Sequence, residues 1–351
     1  MNRENEKITG QSQMFANRLQ KRFRHLKKWA QRKGVGAFRL YDRDIPEIPL
    51  VLDFYGNCTL PWEAAIAGAL YKRPYEKSEE DENQWLSVMK DTIALALGIA
   101  PDHIFLKQRQ RQRGASQYEK TGEARFEKIV SEGDLSFKVN LSDYLDTGLF
   151  PDRRLLRAMV RSEASGKKVL NLFSYTGSFS VYAAAGGAAS TDSVDLSNTY
   201  LSWARENFSL NGFSAQLLQV WDFFSGNASQ GAHRLIRADV LDFLEKAAVS
   251  KNRWDIIVLD PPVFSNSKKM TGNFDLQRDF IDLAGKCLKL LAGGGKLFIS
   301  VNQRQFKTSA AEIGEKLEVY VTDLQDKVTD EDFHGKKIPQ SFLINEKCCC
   351  L

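Results

Sequence analysis

The sequence predicts an α/β protein whose C-terminal half is a doubly wound, mostly parallel sheet, preceded by an α+β domain. Three observations predict this. The run KVLNLFSYTGSFS at Lys168–Ser180 reads as a strand, a tight turn around Gly177 and a helix. Strands and helices then alternate as far as Ser300, and repeated βα units give a parallel sheet covered on both faces with right-handed crossovers. The segment before them mixes helices with short strands on either side of turn residues, without that alternation.

A chain of 351 residues is long for one core and suits two domains. Its 43% hydrophobic and 26% charged content is that of an ordinary globular protein. No apolar run reaches the roughly 18 residues of a membrane helix, and the polar start MNRENEKITGQSQ lacks the apolar core of a secretory signal. The cysteines are Cys58, Cys287 and a terminal trio, Cys348, Cys349 and Cys350, a poor disulfide framework. A reducing cytoplasm is expected. The net charge of +5 is modest, but Arg18–Lys33 holds eight Lys/Arg and no acid, and a second basic cluster spans Lys107–Arg113. Clustering of this kind marks a polyanion partner better than total charge does.

Residues 1–13 are expected to be disordered. From Met14 to Lys33, Phe15, Leu19, Phe23, Leu26 and Ala30 recur at helical spacing, and Gly34 and Gly36 end the helix. AFRLYD and PLVLDFY follow as strands, separated by Pro46 and Pro49. Glu82–Leu97 reads as a helix stopped by Gly98, and HIFLK as a strand. The pair 125–130 and 135–141 is joined by the turn SEGD. The α+β domain is thus expected over 14–143, a bridging segment over 144–165, the α/β domain over 166–345 and a tail over 346–351.

In the second domain, strands are predicted at 169–173, 191–195, 234–237, 254–259 and 296–300. The helices between them fall at 178–185, 198–211, 240–247 and 276–291, with a shorter one after the last strand. The segment Ser214–Gly231, with Trp221, Phe223 and Phe224, is long for a connection in such a unit. It is read as an extra helix and loop packed on the surface, with a partner-binding insertion as the alternative.

Ligands of open α/β sheets sit outside the carboxyl ends of the strands, where the informative residues of this chain gather. Gly177, lacking a Cβ, lets backbone N–H groups of SYTGSFS approach a ligand closely. The helix start that follows favours a carboxylate such as that of a methionine moiety. Asp195, 18 positions after Gly177, ends the second strand and suits the two hydroxyls of a ribose. Asp239 ends RLIRAD and is placed for an adenine amine. Dinucleotide binding needs G-x-G-x-x-G, which this turn lacks. A glycine turn between strand and helix is ordinary structure by itself; the ordered set points to an adenosyl cofactor. DPPVF, from Asp260 through Pro261, Pro262 and Phe264, follows the fourth strand. The prolines fix the backbone and remove two donors, so carbonyls and the Asp260 carboxylate face an incoming base, on which Phe264 is expected to stack. The plain alternative is a Pro-Pro strand terminator with Phe264 in the core.

NLFSYTGSFSVYAAAGGA, TDSVDLSNTYLSWARENFSLNG, HRLIRAD, DPPVFSNSKKM and YLDTGLFPDRR resemble the RlmK-type 23S rRNA guanine-N7 methyltransferases, the C-terminal half of bacterial bifunctional RlmKL enzymes. The resemblance extends to MFANRLQKRFRHLKKWA, AFRLYD and IFLKQRQRQRGASQYEK, and so runs from Met14 to about Asn345. It implies a class I, Rossmann-like, S-adenosylmethionine-dependent methyltransferase with an N-terminal RNA-binding domain. It further implies that Asn171, Phe173, Tyr175, Thr176, Gly177 and Ser178 cradle the cofactor. Asp195 with Leu196 and Ser197 would hold the ribose, Asp239 with Val240 the adenine, and Asp260 would lie beside the methyl group. Arg154 matches a basic position of the family and is expected among the cofactor-binding residues, whereas Arg153 stands where a histidine is usual. The Ser214–Gly231 segment and the EKCCCL tail depart from the family pattern.

A sister chemistry, 5-methylcytosine formation, requires a cysteine nucleophile. The stretch after the fifth strand, FISVNQRQF, has none, and Cys287 lies within a helix as a core residue. Guanine N7 carries its own lone pair, so orientation and electrostatic support suffice. For RNA contact, Lys107, Arg109, Arg111 and Arg113 fall at alternate positions. A strand continuing through them would project all four from one face, about 6.6 Å apart. Lys21, Arg22 and Lys28 of the basic helix are the further candidates, although a basic face opposite an apolar stripe is commonly just solvated. The ending CCCL fits a prenylation signal formally, and an incidental tail is the plainer reading. The four histidines show no metal-ligand spacing, so no metal is expected. The partner expected is 23S rRNA or pre-ribosomal RNA, with no membrane; the oligomeric state is not readable. Two alternatives stay open: a methyltransferase for another RNA base, a tRNA or a protein, and a non-catalytic RNA-binding assembly factor.

Overall fold

The computed structural model describes residues 3–71, 78–108, 125–144, 146–225, 231–265, 274–303 and 306–346. The chain divides into two compact units, Met1–Pro151 with Glu331–Lys336, and Asp152–Asp330 with Lys337–Leu351.

The first unit contains α1 (Arg3–Lys33), β1 (Ala37–Asp42), β2 (Leu50–Tyr55), β3 (Ala65–Leu70), α2 (Glu79–Leu97), β4 (Ile104–Gln108), β5 (Glu127–Glu132) and β6 (Leu135–Asn140). A four-stranded sheet runs β1-β2-β3-β4, antiparallel except for the β3–β4 pair, and β5–β6 is a separate hairpin. Phe15, Leu19, Leu26, Trp29 and Ala30 of α1 bury against Trp85, Met89, Ile93 and Leu97 of α2 and the strand residues Phe38, Phe54 and Ile66. The expected disorder over 1–13 is corrected here, since α1 begins at Arg3. Ile8 packs on this core, and the Trp85 indole donates to Gln11 at 2.8 Å, so the added turns have tertiary partners. Strand β3 was not expected, because AIAGAL carries little β-branched signal. Its small residues are a packing requirement: a Cβ on Gly68 would come within 2.5 Å of Leu52 and 2.9 Å of Leu106.

The returning segment Glu331–Lys336 is anchored in this unit. Buried Asp332 accepts from the Arg39 backbone N–H at 2.9 Å, and its carbonyl accepts from Arg22 Nη2 at 3.2 Å. The Arg39 guanidinium lies 5.2 Å from the Phe333 ring centroid, and Lys336 pairs with Asp44.

The second unit opens with α3 (Arg154–Glu163) and continues through β7 (Lys168–Leu172), α4 (Ser178–Ala185), β8 (Ser190–Asp195), α5 (Asn198–Leu210), β9 (Ala215–Gln219), α6 (Val220–Phe224), β10 (His233–Arg237), α7 (Val240–Val249) and β11 (Trp254–Leu259). A short pair, β12 (Phe264–Ser265) and β13 (Phe274–Asp275), precedes α8 (Leu276–Leu288), β14 (Leu291–Val301), α9 (Ala310–Leu317), β15 (Val319–Asp323), α10 (Gln325–Val328) and β16 (Gln340–Glu346). The eight-stranded sheet runs β15-β16-β14-β11-β7-β8-β10-β9, and only β16 pairs antiparallel, with β14 and with β15. Leu156, Val160, Phe179 and Ala183 of α3 and α4 cover one face. Phe243, Leu244, Phe280 and Leu283 of α7 and α8 cover the other.

The stretch Ser214–Gly231 is a correction. It holds an edge strand, β9, parallel to β10, before the short α6. Phe223 is buried in the core, whereas Trp221 is 73% exposed. Strand order reverses between β7 and β11, where the chain first winds outward through β8 and later returns on the other side. Ligand sites of such sheets open at this reversal.

Candidate active site

Register brings the informative residues into one row. Leu259 lies opposite Leu172, Leu172 opposite Val194, and Val194 opposite Ile236. The chain leaves the carboxyl ends of four neighbouring strands there, so Asp260, Phe173, Asp195 and Arg237 follow side by side.

The turn after β7 is unusual in its backbone. Phe173, Tyr175 and Gly177 have φ of 55°, 50° and 72°. For the two aromatic residues this left-handed conformation costs about 1–2 kcal/mol each, so the surrounding contacts must hold it. The Ser174 N–H donates to the Val194 carbonyl at 3.0 Å, and the Gly177 N–H to the Ser174 carbonyl at 2.8 Å. Buried Asn207 of α5 donates to the Thr176 carbonyl at 2.9 Å. Tyr175 packs edge-on against Tyr200, centroids 4.5 Å apart. Gly177 is required twice, since a Cβ there would also sit 2.9 Å from the Ala204 methyl.

Asp195 closes the turn from the next strand. Its Oδ2 accepts from the Tyr175 N–H and its Oδ1 from the Ser197 N–H, both at 2.9 Å. Burial pushes the carboxyl up to about 6, against the lowering effect of these backbone donors. Ser197 also caps α5 by accepting from the Tyr200 N–H, and half-buried Leu196 lies between the two. Asp239 caps α7, its Oδ1 accepting from Leu241 at 2.8 Å and Asp242 at 3.4 Å, and Val240 is buried behind it.

Asp260 is held by Arg153. Arg153 Nε and Nη2 donate to Oδ2 and Oδ1 of Asp260, each at 3.2 Å, and Nη1 donates to Asp152 at 2.8 Å. The two carboxylates raise the guanidinium pKa further, although burial opposes them. This corrects the expectation for Arg154, whose Nη1 donates to Asp330 at 2.8 Å. Successive residues at a helix start point about 100° apart, so only one of the pair reaches β11. Asn171 is likewise buried, its amide donating to Ser180 Oγ at 3.0 Å, and Ser193 joins the same hydroxyl at 2.7 Å. Its place is between the sheet and α4, behind the turn. Pro261 is buried and Pro262 half-buried; the Phe264 backbone pairs with Asp275, and its side chain lies outside the described residues. Ser178 opens α4 and is half-buried.

Sequence reasoning missed Arg153 as a site residue, and Asn207. A polar residue on the apolar stripe Tyr200, Leu201, Ala204, Phe208 was the available signal for Asn207.

Among the basic candidates, Lys21 and Lys28 are exposed on α1, while Arg22 is half-buried against Asp332. Lys107 donates to the Tyr144 carbonyl, and burial pushes its ammonium down to about 8. Arg109, Arg111 and Arg113 lie outside the described residues, as does the CCCL tail.

An adenosyl cofactor fits these residues. The buried Ser174 hydroxyl has no hydrogen-bond partner among the described residues, and each Asp195 oxygen takes only one of the bonds above. Burial raises the Asp195 carboxyl against the backbone N–H groups of Ser197, Tyr175 and Leu196, and the hydroxyls of a ribose diol would add donors to the same oxygens.

The family described as S-adenosylmethionine-dependent methyltransferase matches residues 62–311. The chain is 44% identical over 333 residues to Ribosomal RNA large subunit methyltransferase K of Neisseria meningitidis, covering 95% of this chain and 87% of that protein. It is 42% identical over 342 residues to methyltransferase K/L of Hahella chejuensis, covering 97% of this chain but only 42% of that longer protein. SMU.776, described as a methyltransferase and solved complexed with SAH, shares the fold with a TM-score of 0.69 at 24% identity, covering 95% of this chain and 81% of that one. The strand-end row, the strained turn and the match across nearly the whole chain lead to one assignment: this chain is an S-adenosylmethionine-dependent methyltransferase and belongs to the family of ribosomal RNA large subunit methyltransferase K.

Proposed function

We propose that the chain methylates N7 of a guanine in large-subunit ribosomal RNA. The observation that carries this is the setting of Asp260 at the end of β11. It is held in a bidentate ion pair by Arg153, and no cysteine occurs between Phe298 and Phe306 after β14. That setting orients a base and offers no thiolate for addition to a pyrimidine. Guanine N7 needs neither deprotonation nor covalent activation. S-adenosylmethionine supplies the electrophilic methyl group. Tyr175, Gly177 and Ser178 of the turn, with Ser174, receive its amino-acid end, and Asp195 accepts from the ribose hydroxyls. Both capping bonds of Asp239 fall on Oδ1, so Oδ2 is the atom assigned to the adenine amine. Pro261 and Pro262 fix the backbone beside the acceptor, and Phe264 supplies the stacking face.

The names of the relatives support ribosomal RNA as the acceptor, and a cytoplasmic place of action belongs to the same proposal. Among the described residues no helix is long and apolar enough to cross a membrane. In the first unit the grip on RNA is assigned to Lys21 and Lys28, joined by exposed Arg24 and Arg32 on the same face of α1, and to Arg109, Arg111 and Arg113. Arg22 and Lys107 are left out, being committed to Asp332 and Tyr144. Nucleoside mass spectrometry of ribosomal RNA from a deletion strain, before and after treatment with purified enzyme, tests the proposal. Loss and restoration of 7-methylguanosine is expected. Restoration of 5-methylcytidine or N2-methylguanosine in its place would overturn the N7 assignment.

A further inference from the structure

We infer that Arg153 is a positioning residue for methyl transfer, acting through Asp260 and not on the cofactor. The proline pair fixes the backbone after β11, so side-chain rotation is the freedom Asp260 has left. The Arg153 fork removes it, because two parallel N–H···O bonds at 3.2 Å define the plane of the carboxylate as well as its place. The fork is itself immobilised. Arg153 is 4% exposed, and its third arm is tied to Asp152 at 2.8 Å. The pairing joins residues 107 positions apart, the start of α3 and the end of β11. With both Asp260 oxygens bonded to a permanent cation on one edge, the carboxylate presents its remaining lone pairs to the acceptor base as a fixed hydrogen-bond acceptor. It takes no proton in the reaction. A lysine would supply the charge without the plane.

The inference rests on the methyltransferase reading but not on which base is modified. Its test is a double-substitution cycle with Arg153→Met, Asp260→Asn and the pair, measured as tritium transferred from S-adenosylmethionine to total RNA of the deletion strain. Misplacing a reacting group by about 1 Å lowers rates about 100-fold, so Arg153→Met should lower kcat by that order. The affinity for demethylated cofactor, read by calorimetry, should stay within about twofold of wild type, because Asp195 and the turn are untouched. Arg153→Lys should recover only part of kcat. The double variant should be no slower than Asp260→Asn alone, as groups acting through one another are non-additive. A wild-type kcat in Arg153→Met, or a double-variant loss equal to the product of the single losses, overturns the inference. Where Arg153→Met fails to fold, Arg153→Lys with Asp260→Asn carries the same comparison. Label found on a base other than guanine would sink the proposed acceptor and leave the coupling result standing.

Discussion

Asp195, proposed to hold the cofactor ribose, gives that assignment a measurable signature in one side chain. Bonds to a charged partner contribute about 1.5–3 kcal/mol each, so Asp195→Ala should weaken demethylated cofactor at least about tenfold by calorimetric titration. The same carboxyl sets a pH dependence. It is raised from 3.8 to about 6 in the ligand-free protein. Its contribution to folding is therefore fully present below about 3.8 and is lost as pH rises through about 6. Ribose donors favour the ionised form, so binding reverses that loss and below about pH 6 must expel a proton. Affinity should be flat above pH 7 and should fall toward lower pH, by at most about tenfold per unit; a flat calorimetric profile down to pH 5 would remove Asp195 from the ribose. The placement of Asp195, Asp239 and Asp260 at or just after strand ends was legible because strand ends are fixed by the pattern of apolar runs. Arg153 was not, since its neighbour Arg154 has the same chemistry and only the helix phase distinguishes them. Asn171 lies differently from its neighbours in the motif: its position is adjacent to the site, but its amide points between sheet and helix to Ser180.

At the scale of elements, the boundaries of α4 and β11 follow from their punctuation, Gly177 before the one and Pro261 after the other. Strand β3 escaped because Ala and Gly carry little strand preference, and β9 because a short edge strand lay inside a stretch read as helix and loop. The early start of α1 depends on Trp85, 74 positions away, and such a contact leaves no local trace. Helix α1 also separates two kinds of basic residue. Arg18 pairs with Asp44 and Arg22 bonds Asp332, whereas Lys21, Arg24, Lys28 and Arg32 lie exposed along one face. Changing Lys21, Arg24 and Lys28 to Ala should weaken RNA binding similarly across sequences and flatten the log affinity against log salt slope by about 0.7–0.9 per lost contact. Cofactor affinity should not move. Arg22→Ala should chiefly lower the melting temperature. An unchanged slope in the triple variant would mean that this face is merely solvated.

In the whole molecule, neither compact unit is a continuous stretch of chain. Residues 331–336 belong to the first unit, although residues on either side of them belong to the second. Sequence reading placed a single boundary near 143–166, because composition and periodicity register changes along the chain and not a later return. Buried Asp332, its bond to the Arg39 N–H and the Lys336–Asp44 pair make that return specific. Cutting the chain between Pro151 and Asp152 should therefore not release two independent pieces. Fragments 1–151 and 152–351, expressed from separate genes, should find one another as a split protein and co-purify, with Asp332→Ala weakening the reassembly. Separate elution in gel filtration would refute this. A six-residue return thereby makes a chain that reads as two beads on a string into a self-complementing pair.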